Sequence, residues 1–126
     1  MTKIGTVAYD DVPKLRLVGR DLWEVAEDWK IEIDGKAILI PKGFLTDCAS
    51  IPHFLRCVCG SPMELPRMPV AVIHDFAYEG LIAGMTRRQA DSFYRYGLVC
   101  HGVPKWKANT EYVAIRAFGG RHWKGE

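Results

Sequence analysis

The positions of apolar and polar residues divide the chain into two halves. From about residue 15 to residue 40 they alternate with a period of two, most cleanly in Trp29-Lys30-Ile31-Glu32-Ile33. Such alternation places successive side chains on opposite faces of a strand. Asp34-Gly35 follows, a pair that tolerates positive φ and closes two-residue hairpins. Lys36-Ala37-Ile38-Leu39-Ile40 returns as the partner strand until Pro41 ends the pairing. Leu15-Arg16-Leu17-Val18 and Leu22-Trp23-Glu24-Val25 read as two shorter strands turned at Gly19-Arg20-Asp21. Residues 1–14 are weakly patterned, and Asp10-Asp11 with Pro13 predict a loop before Lys14.

Beyond Pro41 the period changes. Gly43 to Pro52 mixes small polar and apolar residues and predicts a packed connector, with Thr46, Asp47 and Ser50 bonding local backbone. Ser50 is placed to cap one or two helical turns over 52–58, which Cys59-Gly60-Ser61-Pro62 breaks. A main helix is expected from Pro66 or Arg67, with Pro69 tolerated in its first turn, ending around Gly80–Gly84. Val70, Ile73, Ala77 and Leu81 lie along one side of it, with His74 and Tyr78 beside them. Thr86-Arg87-Arg88-Gln89 is a capping box, so the next helix runs from Arg87 to about Cys100. Pro104 starts a last helix through Trp106, Tyr112, Val113 and Phe118, which Gly119-Gly120 ends. Strands precede helices, so the class is α+β: a small antiparallel sheet from the N-terminal half packed on three or four helices of the C-terminal half, in a single domain over 1–126.

Composition changes this picture little. With 48% apolar and 25% charged residues the chain has the make-up of a globular protein, not a disordered one. A net charge of +2 is too small to imply nucleic acid, which makes that partner an unfavoured one. The longest apolar runs are far short of a membrane span, and Met1-Thr2-Lys3-Ile4 is not followed by an apolar leader. The expected location is the cytoplasm in which the chain is made. Cys48, Cys57, Cys59 and Cys100 are read as small buried hydrophobes, because Cys57-Val58-Cys59 lacks zinc-knuckle spacing and no second pair accompanies it. The tail from Arg121 to Glu126, which contains Trp123, is expected to dock on another chain or to pack back on the body.

The chemistry gathers in three segments. His74 and Asp75 sit side by side in an apolar helix, where a polar group without a partner costs about 1–3 kcal/mol. Partners must therefore come from elsewhere. Asp47 in the Thr46–Pro52 segment is one candidate. Asp91, in the second turn of the following helix, is another, although it can also make a surface ion pair with Arg87 or Arg95, each four residues away. A histidine oriented by a carboxylate can activate water, and clustered carboxylates can hold a divalent cation. The candidate catalytic set is therefore His74, Asp75, Asp47 and Asp91. Thr46, Ser50 and Tyr78 are candidate substrate-binding residues, and Asp47 and Asp75 candidate ligands for a divalent cation.

Three motifs together, Gly43-Phe44-Leu45-Thr46-Asp47-Cys48-Ala49-Ser50-Ile51-Pro52, His74-Asp75-Phe76-Ala77-Tyr78 and Arg88-Gln89-Ala90-Asp91-Ser92-Phe93, resemble the family called domain of unknown function 1353. The resemblance covers roughly residues 15–119 and includes a closing helix like Tyr112 to Gly119. It implies a tailed-bacteriophage or prophage origin, other phage virion proteins as partners, and a place in the host cytoplasm or the virion; it carries no established activity. Ala77 departs from the larger apolar residue the family often has there. A more distant resemblance is to the catalytic pair of phospholipase A2 enzymes. It implies His74 as general base, Asp91 as the group that orients it and Asp75 as a calcium ligand. The glycine-rich calcium loop and the paired cysteines of those enzymes are missing. An HD-type phosphohydrolase fits less well, since only His53 stands as a further ligand candidate.

Two readings follow. One is a hydrolase-like site using water as nucleophile, acting on cell-envelope material. The other is a non-enzymatic virion or tail-assembly component in which the same Asp and His residues form a buried hydrogen-bond network.

Overall fold

A computed structural model describes residues 2–20, 22–47 and 67–125. The chain is α+β, and its contacts divide into two compact units, residues 1–47 and 48–126. The first unit holds seven strands among the described residues: β1 (Thr2–Ile4), β2 (Val7–Tyr9), β3 (Leu15–Gly19), β4 (Leu22–Val25), β5 (Trp29–Ile33), β6 (Lys36–Ile40) and β7 (Leu45–Thr46). They form two antiparallel sheets, a four-stranded one in the order β1-β2-β5-β6 and a three-stranded one in the order β3-β4-β7. The hairpin at Asp34-Gly35 forms as expected, with φ of 53° and 77° at the two turn residues and Ile33 paired with Lys36. Alternation in β5 buries Trp29, Ile31 and Ile33 and exposes Lys30 and Glu32.

The loop expected before Lys14 is present over residues 10–14. The weakly patterned residues ahead of it form two strands: β1 and β2 pair antiparallel, Ile4 opposite Val7. Val7, Ala8 and Tyr9 are all buried, because β2 lies between β1 and β5, so no alternation marks it as a strand. The connector also contributes a strand, since Leu45 and Thr46 pair with Glu24 and Trp23. Two residues are too few to carry a period.

The second unit contains three helices among the described residues: α1 (Met68–Tyr78), α2 (Arg87–Cys100) and α3 (Lys105–Phe118), followed by a 3-10 turn over Gly119–His122. The short helical turns expected over 52–58, with the Ser50 cap, lie outside the described residues. Every residue from Pro69 to Tyr78 is buried, as suits a helix apolar on all sides. It stops at Tyr78, where Glu79 caps it and Gly80 takes φ 76°, so Leu81 falls beyond the helix and is exposed. α2 begins with the capping box complete: Thr86 Oγ1 accepts from Gln89 N at 3.1 Å, and Gln89 Oε1 accepts from Thr86 N at 2.8 Å.

α1 and α2 run antiparallel, because Val70 meets Gly97, His74 meets Asp91 and Tyr78 meets Arg87. Their close approach depends on Gly97. A Cβ there would stand 2.8 Å from Val70 Cγ2, and Val70 is fully buried and cannot step aside. Gly97→Ala is expected to destabilise the chain by about 1–3 kcal/mol, the usual effect of overpacking. Urea denaturation measures this, and an unchanged midpoint would show that the helices have slack here.

Candidate functional site

A carboxylate inside a helix pair must be met by donors, and Asp91 is met on all sides. Its side chain is fully buried on α2. Oδ1 lies 2.8 Å from His74 Nε2 and accepts from the Tyr78 hydroxyl at 2.6 Å. Oδ2 accepts from Arg116 Nη1, on α3, at 2.8 Å, with Arg87 Nε at 3.8 Å. Asp91 thus ties all three helices to one point. Burial acts to raise the pKa of this carboxyl, but the hydrogen bonds from His74, Tyr78 and Arg116 outweigh it and hold the group below its ordinary value. Asp91 is therefore ionised at neutral pH. An ionised carboxylate only accepts, so His74 carries its proton on Nε2 and donates it to Oδ1.

The spacing of α1 explains why two of these groups come together. His74 and Tyr78 are four apart, one turn along the same face, and both reach the single Asp91 on the antiparallel neighbour. Burial, and then the bond to Asp91, push the Tyr78 phenol well above its ordinary pKa, so it stays a donor. The imidazole is bracketed by two aromatic rings, Tyr78 at 4.5 Å and Tyr94 at 4.9 Å between centroids, which restrict its plane. Arg87 holds the edge of the site. Its Nε donates to the Tyr78 hydroxyl at 3.1 Å, while Nη2 donates to the carbonyls of Ile115 and Arg116 at 2.7 and 3.0 Å. A cation there also faces the negative end of the α3 dipole.

A second polar layer lies behind the first. Glu111 of α3 is buried, bonded to Arg67 Nη2 through Oε2 and accepting from the Tyr94 hydroxyl through Oε1 at 3.0 Å. Burial raises the Glu111 pKa, against the opposing pull of Arg67 and Tyr94. The two carboxylates therefore act oppositely on stability. Asp91, with its folded pKa depressed, contributes stability that is present above the ordinary carboxylate range and is lost as pH falls through its folded value. Glu111, with its folded pKa raised, contributes stability that is present below that range and is lost as pH rises through its folded value. Denaturation midpoints followed from neutral to acid pH are expected to show the Asp91 loss, and Asp91→Asn should flatten that acid limb. An acid limb unchanged in Asp91→Asn would mean that other groups govern it.

The sequence-derived candidates divide accordingly. His74, Tyr78 and Asp91 are brought together. Asp91 is not in a surface ion pair: it is buried, and Arg95 bonds Asn109 at 2.6 Å instead. Asp75 is buried on α1. Thr46 is buried in β7, and Asp47 follows it at the exposed end of the first unit. Ser50 lies outside the described residues. Among the described residues, no three His, Cys, Asp or Glu side chains are grouped so as to hold a metal ion. Arg116, Arg67, Tyr94 and Glu111 were not singled out from the sequence. Glu111 had a readable signal, because it shares the apolar face of α3 with Ala108, Ala114 and Ile115, where a charge needs a partner.

The tail packs back on this unit. Trp123 meets Tyr78 edge-on at 5.2 Å, and Lys124 N donates to the Tyr78 carbonyl at 2.8 Å. Lys124 Nζ reaches Glu79 Oε2 at 2.8 Å. A cleft of about 580 Å³ lies between this tail and residues 80–86, but neither His74 nor Asp91 lines it.

Fold and site together define an α+β protein with a buried His–Asp–Tyr cluster between antiparallel helices. The chain belongs to the family described as protein of unknown function (DUF1353), whose model matches residues 23–115. It is 32% identical over 101 residues to the uncharacterized protein y4jT of Sinorhizobium fredii (strain NBRC 101917 / NGR234), covering 79% of this chain and 30% of that protein. It is 31% identical over 91 residues to the uncharacterized protein y4iH of the same strain, covering 72% of this chain and 37% of that protein. The chain thus spans about a third of the length of these curated relatives. No solved structure matches it.

Proposed function

We propose that this chain is a hydrolase in which His74 acts as general base on water and Asp91 orients it, cleaving an ester bond in cell-envelope material. The observation that supports this reading is the 2.8 Å approach of His74 Nε2 to an Asp91 carboxylate already fixed by Tyr78 and Arg116. With Nε2–H committed to Asp91, Nδ1 is the ring nitrogen that takes a proton. Water attacks the acyl carbon as Nδ1 takes its proton, and the imidazolium is stabilised by the adjacent Asp91 charge. The tetrahedral intermediate collapses as Nδ1–H returns that proton to the leaving alkoxide. The sequence holds no Ser or Cys in a nucleophile motif, which leaves water as the nucleophile. Asp75 is the neighbouring carboxylate to which the phospholipase resemblance gives a cation, and Asp47 is the second candidate. The setting we propose is the one the family resemblance implies, a phage or prophage product.

A second reading is favoured by one observation: His74 itself is only 1% exposed. In that reading the cluster is a structural network of a virion or tail-assembly component, and Asp91 is the knot that joins three helices. The two separate in one experiment. Carboxylic ester and phosphodiester substrates are offered to the wild-type chain and to Asp75→Asn, with thermal denaturation measured in parallel. Turnover by the wild type, lost in Asp75→Asn at an unchanged folded fraction, supports the hydrolase. No turnover by the wild type supports the structural component, and turnover lost only in proportion to unfolded protein takes Asp75 out of the chemistry.

A further inference from the structure

The outer surface of α3 exposes apolar side chains among basic ones. At 100° per residue, Trp106, Thr110, Val113 and Ala117 fall on one stripe of the helix, and all four are exposed. Trp106 is 59% exposed and Val113 64%. Two large apolar side chains this open, two turns apart on one stripe, mark an interaction surface. The charge around them has one sign. Between residues 105 and 125 the only carboxylate is Glu111, which is buried. Arg116 and Lys124 are held by Asp91 and Glu79. Among the described residues, Lys105, Lys107 and Arg121 have no carboxylate in ion-pair range, and Lys107 Nζ sits 5.7 Å from the centre of the Trp106 ring.

From this face we infer a docking surface for an anionic lipid bilayer, on which α3 lies in the headgroup region with Trp106 and Val113 toward the acyl boundary. Charge complementarity selects the occupant. A second copy of the chain would bring Lys105, Lys107 and Arg121 against themselves with no exposed carboxylate on the face to meet them. A nucleic acid would meet the lysines but gains nothing from Val113, which neither stacks nor hydrogen-bonds. An anionic membrane surface takes both, attracting the lysines and dehydrating the apolar stripe. No helix among the described residues is long and apolar enough to cross a membrane, so α3 rests on the surface. The surface does not depend on the hydrolytic reading, because binding is measured without turnover.

The test is sedimentation of the full chain with vesicles of phosphatidylglycerol and phosphatidylcholine, and with vesicles of phosphatidylcholine alone. Partition onto the anionic vesicles, weakened by salt, is expected. Lys105→Gln/Lys107→Gln should weaken it about 25-fold, from about fivefold per charge at a membrane surface. Trp106→Ala should weaken it with no change in melting temperature. Lys30→Gln/Lys36→Gln removes the same charge from exposed positions of β5 and β6 and should leave it unchanged. Failure to bind anionic vesicles, equal binding to neutral ones, or equal loss in the two double variants would overturn the proposal. So would binding of a duplex oligonucleotide, abolished by Lys105→Gln/Lys107→Gln, in the absence of vesicle binding.

Discussion

On the proposed hydrolytic reading, replacing His74 by Gln is expected to lower ester hydrolysis about 10²–10⁴-fold, the usual contribution of a positioned general base, while most of the protein stays folded. Gln is close to His in volume, and its amide N–H can donate to Asp91 Oδ1 in place of Nε2–H. The hydrogen bond that fixes α1 to α2 is thereby kept, and Asp91 keeps its partners Tyr78 and Arg116. What Gln cannot supply is a nitrogen that accepts a proton from water. The variant thus separates holding from reacting. Turnover is to be measured per mole of folded chain, with circular dichroism setting that denominator. A His74→Gln variant as active as the wild type would remove His74 from the chemistry.

Asp91→Ala is expected to have the larger effect on stability, a loss of about 3 kcal/mol. That is the low end of the roughly 3–5 kcal/mol typical when one member of a buried ion pair is removed. The low end applies because Arg116 keeps 30% of its side chain in solvent and can turn its charge outward. The His74 and Tyr78 donors are both buried to within 1% and cannot do so. Asp91→Asn should lose less, since the amide oxygen still accepts one bond from α1. The order wild type, Asn, Ala in denaturation midpoint is the expected result. An Ala variant as stable as the wild type would mean that the three helices are held by apolar packing alone.

Much of this arrangement was legible in the sequence, for local reasons. Asp34-Gly35 closes a hairpin because both residues accept positive φ, and Thr86 with Gln89 fixes the start of α2 to the residue. Once α2 starts at Arg87 and a short loop joins it to α1, antiparallel packing brings its second turn, with Asp91, to the level of His74. The rest was hidden by context. β2 is buried along its whole length, so its period vanishes, and β7 has only two residues. Arg116 reaches Asp91 from a third helix, 25 residues away, and no spacing rule within one helix registers that. Arg87 and Arg95 at four-residue spacing also allow a surface pair for Asp91, and only the donors from other elements, His74, Tyr78 and Arg116, decide for the buried network.

The central claim is that an ionised Asp91 holds the Nε2–H form of His74 and so places the basic nitrogen at Nδ1. The most direct measurement is long-range proton–nitrogen correlation NMR of the His74 ring in the folded chain at neutral pH, with Asp91→Asn for assignment. The account expects Nε2 to be protonated and Nδ1 to carry the lone pair, with the Nε2–H resonance shifted when Asp91 becomes Asn. A proton on Nδ1 and a bare Nε2 in the wild type would contradict it, because Asp91 would then have to be the donor.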